Sequence, residues 1–224
     1  MSRFVIQDTA DGSKTLFVPQ LDEHYHSVKG ALTESQHIFI RMGFLHSQLS
    51  TLHVLEVGFG TGLNAFLTLL EAEKTHRKTY YTALELNPLP VDTIREMNYA
   101  QIVAADRADD YLNLHLAPWD RPVALHPCFT LEKMKADYTC WQPASGYDLI
   151  YFDAFAPEKQ PEMWSQELFD KLYHSMNPQG ILVTYCAKGV VRRMLQASGF
   201  NVERLPGPPG GKREILRGTK LPQD

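Results

Sequence analysis

Two short segments hold the side chains best suited to chemistry. The first is Glu56-Val57-Gly58-Phe59-Gly60-Thr61-Gly62-Leu63-Asn64. Its glycines let the backbone turn tightly after a strand and come close to a ligand, with a helix opening beneath. Nicotinamide, flavin and sulfonium-nucleoside folds all use such a loop, and a loop that serves packing alone is a further alternative. Two acids weigh among these. Glu56 ends the strand, where a carboxylate suits a cationic amino-acid group and repels a pyrophosphate. Glu85 follows Gly62 by 23 residues, where an acid accepts both hydroxyls of a ribose. No Lys or Arg lies between positions 52 and 73, so a diphosphate has little to hold it. The pattern favours S-adenosylmethionine, with Glu56, Gly58, Gly60, Gly62, Asn64, Glu85 and Leu86 as its binding residues.

The second segment, Tyr147-Asp148-Leu149-Ile150-Tyr151-Phe152-Asp153-Ala154-Phe155-Ala156-Pro157, puts Asp153 at the carboxyl end of a buried strand. Open α/β sheets bind ligands beyond the carboxyl ends of their strands, near the topological switch. Methyl transfer from a sulfonium is an in-line displacement that needs a nucleophile's lone pair aimed at the methyl carbon. An aliphatic amine is mostly protonated at neutral pH and must first lose a proton. A carboxylate accepts that hydrogen bond and orients the nitrogen. Asp153 fits that task at the border of cofactor and acceptor; a strand-end acid capping the next loop is the plainer alternative.

The elements that must position these residues alternate strand and helix. An Asp11-Gly12 turn between Arg3–Gln7 and Thr15–Val18 predicts a hairpin, followed by a helix over 28–46 with Leu32, Ile38, Phe39, Met42 and Leu45 on one face. Together these supply a lid or a substrate-side wall. Strands are then expected at Leu52–Val57, Thr79–Leu86, Pro122–His126, Tyr147–Phe152 and Ile181–Cys186. Helices are expected at Leu63–Ala72, in two segments across 90–116, from Pro161 onward, and at Val190–Ser198 with Gly199 as its cap. The helix from Pro161 carries an apolar stripe of Met163, Trp164, Leu168, Phe169, Leu172, Tyr173 and Met176, and Asn177–Gly180 reads as a turn. Asn201–Leu205 and Glu214–Arg217 have no helix between them and are expected to pair antiparallel, as class I methyltransferase sheets end. The expected fold is thus α/β, a Rossmann-like, mostly parallel, seven-stranded sheet. One domain over 1–224 is expected, with a hairpin and helix in 1–50 and the core in 51–224.

The totals exclude several classes. The 224 residues suit one sizeable α/β domain. No run approaches the ~20 apolar residues of a membrane helix, and Met1-Ser2-Arg3-Phe4 lacks a signal-peptide core. Cys128, Cys140 and Cys186 form no CxxC pair, and the nine histidines form no HExxH, so neither disulfide nor metal is expected and a cytoplasmic setting fits. Net charge is −4, yet residues 188–220 hold eight Lys/Arg against Glu203 and Glu214, a local +6 that leaves −10 for the rest. A basic region on an acidic body suits one surface meeting an anionic partner, although a solvated helix face would look the same.

The segment Asp153–Trp164 resembles the Asp-x-Phe-Ala-Pro-x-Lys-x-Pro-x-Met-Trp pattern of the methyltransferase domain of MnmC-type tRNA 5-(aminomethyl)uridine modification enzymes. Glu56–Asn64, Lys188–Arg193, Gly211–Glu214, Tyr25-His26-Ser27 and Glu34-Ser35 support it across nearly the whole chain. The resemblance implies methylation of the primary amine of 5-aminomethyluridine, or its 2-thio form, at the tRNA wobble position. It implies Asp153 beside that amine with Phe155 and Tyr25 in the catalytic set, and Glu85 on the ribose. It turns Lys188, Arg192, Arg193, Lys212 and Arg213 towards the anticodon arm, where phosphate contacts supply affinity and a splayed base supplies specificity.

The family's best-known members fuse this domain to a flavin-dependent oxidase; if the chain is whole, it is a stand-alone methyltransferase. Many class I enzymes also carry an acid after the third strand for the adenine amino group. Here His126–Thr130 has none, so adenine contacts are expected from backbone groups. Two other functions share the fold: transfer to a small amine, as in aminopropyltransferases, and RNA binding without catalysis. An aminopropyl donor would leave Glu56 no amino-acid group to meet, and an intact glycine loop with Glu85 and Asp153 argues for catalysis. Residues 206–211, rich in Gly and Pro, are expected to order on RNA.

Overall fold

Val54 and Leu55 are neighbours in sequence, yet they are buried in different cores. The same split separates Tyr151 from Phe152 and Val183 from Leu182, because successive side chains on a strand point to opposite faces. A sheet buried on both faces follows, with a helical layer on each side. The computed structural model describes residues 4–222. Its central strands are β4 (Thr51–Val57), β5 (Lys78–Glu85), β7 (Phe129–Lys135), β8 (Tyr147–Phe152) and β9 (Met176–Thr184). All five run parallel through the pairs β5–β7, β4–β5, β4–β8 and β8–β9. The order is β10-β11-β9-β8-β4-β5-β7-β6, with β6 (Pro122–His126), β10 (Asn201–Pro206) and β11 (Glu214–Thr219) joining antiparallel. This is the expected class I sheet, with the antiparallel pair at its end.

The sheet has eight strands rather than seven. Pro122–His126 is an edge strand, and the third parallel strand is β7, which the sequence reading passed over. The reason is Lys133: it occupies an inward position at 1% exposure, so the apolar alternation of Phe129 and Leu131 breaks at a charge. Its ammonium donates to the His115 carbonyl at 2.6 Å and lies 4.6 Å from the Trp119 ring centroid.

One face carries α2 (Leu63–Lys74), α5 (Ala108–Leu116) and a nine-residue π-helix, Gln36–Phe44, that continues α1 (Ala31–Ser35). The wider turn explains why the expected helical face was incomplete. Ile38 and Phe39 are buried as expected, but so are Ile40 and Phe44, while Leu45 is exposed. The span 90–116 holds α3 (Val91–Arg95), α4 (Tyr99–Val103), a 3-10 turn and α5, more than the two segments expected. The other face carries α6 (Gln166–Ser175) and α7 (Gly189–Ser198), the latter ended by Gly199 at φ 109°. Pro161 opens a 3-10 turn, and α6 itself starts after Ser165, whose hydroxyl accepts from Leu168 N. Asn177–Gly180 lies within β9 at a register shift, with Gln179 at φ 66°.

Ahead of the core, β1 (Val5–Asp8), β2 (Lys14–Val18) and β3 (Glu23–His24) form a small antiparallel sheet. Arg3, placed in the first strand by the sequence reading, lies outside the described residues. Asp11 in the turn accepts from Thr33 N and Oγ1 at 2.8 Å, fixing the hairpin to α1.

Candidate active site

Parallel strands end on one edge of the sheet, so Gly58, Leu86, Ala136, Asp153 and Tyr185 gather there behind β4, β5, β7, β8 and β9. A cavity of about 580 Å³ opens on that edge and all five residues line it. The N-terminal sheet closes it from the far side through Val18, Glu23, His24 and Tyr25. The segment expected to supply a lid or a substrate-side wall thus lines the cavity.

At the floor, Asn64 Nδ2 donates to Glu56 Oε1 at 3.0 Å and to Asp153 Oδ2 at 2.8 Å. Glu56 is fully buried and is not on the cavity wall, whereas its hydrogen-bond partner Asn64 is. Burial, with Asp153 nearby, holds the Glu56 carboxyl well above its ordinary range. Burial, with Glu34 nearby, also raises Asp153, to about 7, against the opposing pull of its Asn64 hydrogen bond. A carboxyl poised there exchanges a proton near neutral pH. Asn64 Oδ1 is a buried acceptor without a hydrogen-bond partner in the protein, while Glu56 lies against the Tyr81 hydroxyl.

The glycine loop is cradled closely. Gly58 has φ 96°, and a Cβ there would lie 2.8 Å from the Asp153 carbonyl oxygen; at Gly60 it would lie 3.0 Å from the Tyr25 ring. Gly62, off the cavity wall at φ 71°, caps α2. Glu85 accepts from Gly60 N at 2.9 Å and from Asn87 N at 2.8 Å, and Leu86 is half exposed beside it.

Several site residues escaped the sequence reading. His26 Nε2 meets Thr61 Oγ1 at 2.7 Å, while Tyr111 OH and His115 Nε2 meet the Thr61 carbonyl at 2.8 and 3.0 Å. Burial lowers His26 to about 4, and burial aided by Lys133 lowers His115 to about 3, so both imidazoles are neutral. Correcting the third strand to β7 also supplies the acid that seemed missing: Asp137 follows Lys135 by two residues and lines the cavity. The signal was the strand end itself, hidden by Lys133.

Elsewhere on the cavity wall, Tyr25 and Phe155 pack edge to face at 5.0 Å, and Tyr185 OH donates to the Ala154 carbonyl at 2.9 Å. Glu34, buried, and Lys212 also line this part. The five basic residues divide. Lys188 pairs with Glu158, Arg192 is half-buried, and Arg193 and Arg213 are exposed. Lys212 instead turns into the cavity. Residues 206–213 form a closed turn, with Gly207 N donating to Arg213 O at 2.9 Å. Among the described residues no group of His, Cys, Asp and Glu could hold a metal ion, and no helix is long and apolar enough to cross a membrane.

Sheet order, glycine loop and paired strand-end acids define the class. A family model described as S-adenosyl-L-methionine-dependent methyltransferase matches residues 130–221. More narrowly, the chain is similar to the proteins called "tRNA 5-methylaminomethyl-2-thiouridine biosynthesis bifunctional protein MnmC". That of Pseudomonas savastanoi pv. phaseolicola is 32% identical over 234 residues, covering 89% of this chain and 33% of that one. That of Magnetococcus marinus is 32% identical over 225 residues, covering 92% and 32%. The chain spans about a third of the length of these curated relatives. Among solved structures, MNMC2 from Aquifex aeolicus superposes over all of this chain and 74% of that one, with a TM-score of 0.75 at 24% identity. Spermidine synthase from Thermotoga maritima superposes over 97% and 73%, with a TM-score of 0.57 at 14% identity. These two likenesses show the fold.

Proposed function

We propose that this chain methylates the primary amine of 5-aminomethyluridine, or its 2-thio form, at the wobble position of tRNA, as one domain acting in the cytoplasm. The observation that carries the reading is Asp153, held by Asn64 at the cavity edge between the glycine loop and the Tyr25–Phe155 pair. The MnmC relatives, named for biosynthesis of the methylated thiouridine, supply the acceptor.

The site suits S-adenosylmethionine. Asn64, Gly58 and Gly60 line the cavity, where a polar side chain and exposed loop backbone would meet the amino-acid end of the donor. Glu85 holds the ribose, with Leu86 and Asp137 beside the adenine, where an acid accepts from the amino group. When bound, the donor supplies an electrophilic methyl group on a sulfonium. Tyr25 and Phe155 wall the uracil ring. Asp153 takes a proton from the substrate ammonium and holds the freed lone pair in line. Methyl transfer to that nitrogen would exchange the donor's carbon–sulfur bond for a carbon–nitrogen bond, the positive charge passing from sulfur to the secondary amine. Asp153 then returns its proton to water. Lys188, Arg192, Arg193 and Arg213 stand at the same sheet edge and meet the phosphates of the anticodon arm.

The test is transfer of labelled methyl from S-adenosylmethionine to tRNA from cells lacking the activity, followed by nucleoside analysis. Appearance of 5-(methylaminomethyl)uridine is the expected result. Cofactor binding with no transfer to that tRNA removes the acceptor and leaves the donor.

A further inference from the structure

Lys212 Nζ lies 3.2 Å from Glu34 Oε2 and 3.7 Å from the centroid of the Tyr185 ring, inside the cavity that holds Asp153. A primary ammonium already sits against a carboxylate and an aromatic face, the two features that recognise such a cation. Glu34 is fixed for this purpose: its side chain is 9% exposed, and Oε1 accepts from Ser27 N at 3.2 Å. Tyr185 is fixed as well, by its hydroxyl on the carbonyl of Ala154, next to Asp153. Lys212, by contrast, comes from the glycine-rich turn, with Gly210 and Gly211 just before it and its side chain 42% exposed.

We infer that Glu34 is a positioning residue that selects the acceptor's ammonium, and that Lys212 is an internal stand-in which the acceptor displaces. The inference rests on the reading that the acceptor is a primary amine. Exchange of one ammonium for another keeps the buried Glu34 carboxylate paired throughout, whereas a neutral ligand would have to leave Lys212 in place or strand the acid. The same geometry delivers the ammonium beside Asp153: Glu34 raises that carboxyl and Lys212 lowers it, so both act on the group that takes the proton.

The test separates a stand-in from a phosphate contact by the sign of its effect. Benzylammonium, an aminomethyl group on a flat ring, is titrated calorimetrically into protein saturated with S-adenosylhomocysteine. Lys212→Met is expected to bind it about fivefold more tightly than wild type, the competing cation being gone. Adding Glu34→Gln is expected to remove that gain, and Glu34→Asp to restore part of it. Benzyl alcohol is expected to show no gain in any variant. With undermodified tRNA, the loss in Glu34→Gln should fall on KM rather than on kcat. Unchanged or weaker benzylammonium binding by Lys212→Met overturns the inference, and this variant decides the matter even if Glu34→Gln does not fold. Failure of the wild type to methylate tRNA would remove the tRNA reading without touching the benzylammonium comparison.

Discussion

His26 Nε2 lies 2.7 Å from the Thr61 hydroxyl, and this contact ties the N-terminal segment to the middle of the glycine loop. Tyr111 and His115, both on α5, hold the same residue through its carbonyl, so Thr61 is pinned by three side chains from two places distant in sequence. The loop's shape is thus set before any ligand arrives. His26→Phe keeps the bulk and removes one pin; the expected result is about tenfold weaker S-adenosylmethionine binding, as for loss of one buried hydrogen bond. Calorimetry on the folded variant checks it, and unchanged affinity would show that the loop holds itself.

The two histidines also set an acid limit. Burial lowers both in the folded state from the ordinary 6.5, so the unfolded chain binds more protons below that value. Their contribution is fully present above about pH 6.5 and is lost as pH falls towards about 4 for His26 and about 3 for His115. Asp153, raised to about 7, acts in the opposite direction: its stabilisation is present in acid and lost as pH rises through 7. The difference between wild type and His26→Phe isolates the histidine. Melting temperatures at pH 7.5 and 5 are expected to fall less for the variant than for wild type; equal falls would contradict a neutral buried His26.

Asp153 must be ionised to take the substrate proton. Asp153→Asn preserves the Asn64 contact in outline and removes the base, so kcat is expected to fall about 10²- to 10⁴-fold. The wild-type to variant ratio of kcat/KM should rise as pH passes about 7, where Asp153 loses its proton. Taking the ratio cancels the amine's own titration. A ratio flat from pH 6 to 8 would leave Asp153 a purely structural acid.

Local pattern made much of this legible. The glycine loop, Glu85, Asp153 and the final antiparallel pair are each announced within a few residues, because tight turns and strand ends need particular side chains there. What stayed hidden depends on distant partners. Lys133 reads as a surface residue until Trp119 and the His115 carbonyl are seen around it, and with β7 went Asp137. His26 and His115 meet only at Thr61, and Lys212 looks like its basic neighbours until Glu34, far back in sequence, is placed beside it. The π-helix escaped because a 3.6-residue period cannot describe its wider turn.

Glycines divide by what surrounds them. Gly58→Ala would force φ 96° on an alanine and drive its Cβ to 2.8 Å from the Asp153 carbonyl oxygen. Gly12 has φ 82° with nothing within 4 Å, so alanine there meets backbone strain alone. Gly12→Ala is expected to cost about 1 kcal/mol, and Gly58→Ala about 3 kcal/mol together with loss of cofactor binding. Denaturant unfolding of both variants tests the contrast, and equal costs would mean the loop relaxes around the added methyl.

The exposed Arg193 and Arg213 stand where α7 begins and β11 enters, at the edge that carries Asp153. If they neutralise tRNA phosphates, each removed contact lowers the salt dependence of binding by a slope of about 0.7 to 0.9. Arg193→Gln and Arg213→Gln are therefore expected to weaken tRNA binding, with shallower plots of log affinity against log salt concentration. Binding of S-adenosylmethionine should be untouched, because neither arginine lines the cavity. Affinity measured from low to physiological salt settles it. A weakened complex with an unchanged slope would place these side chains on bases or on folding, and an unchanged complex would move the anionic partner to another face.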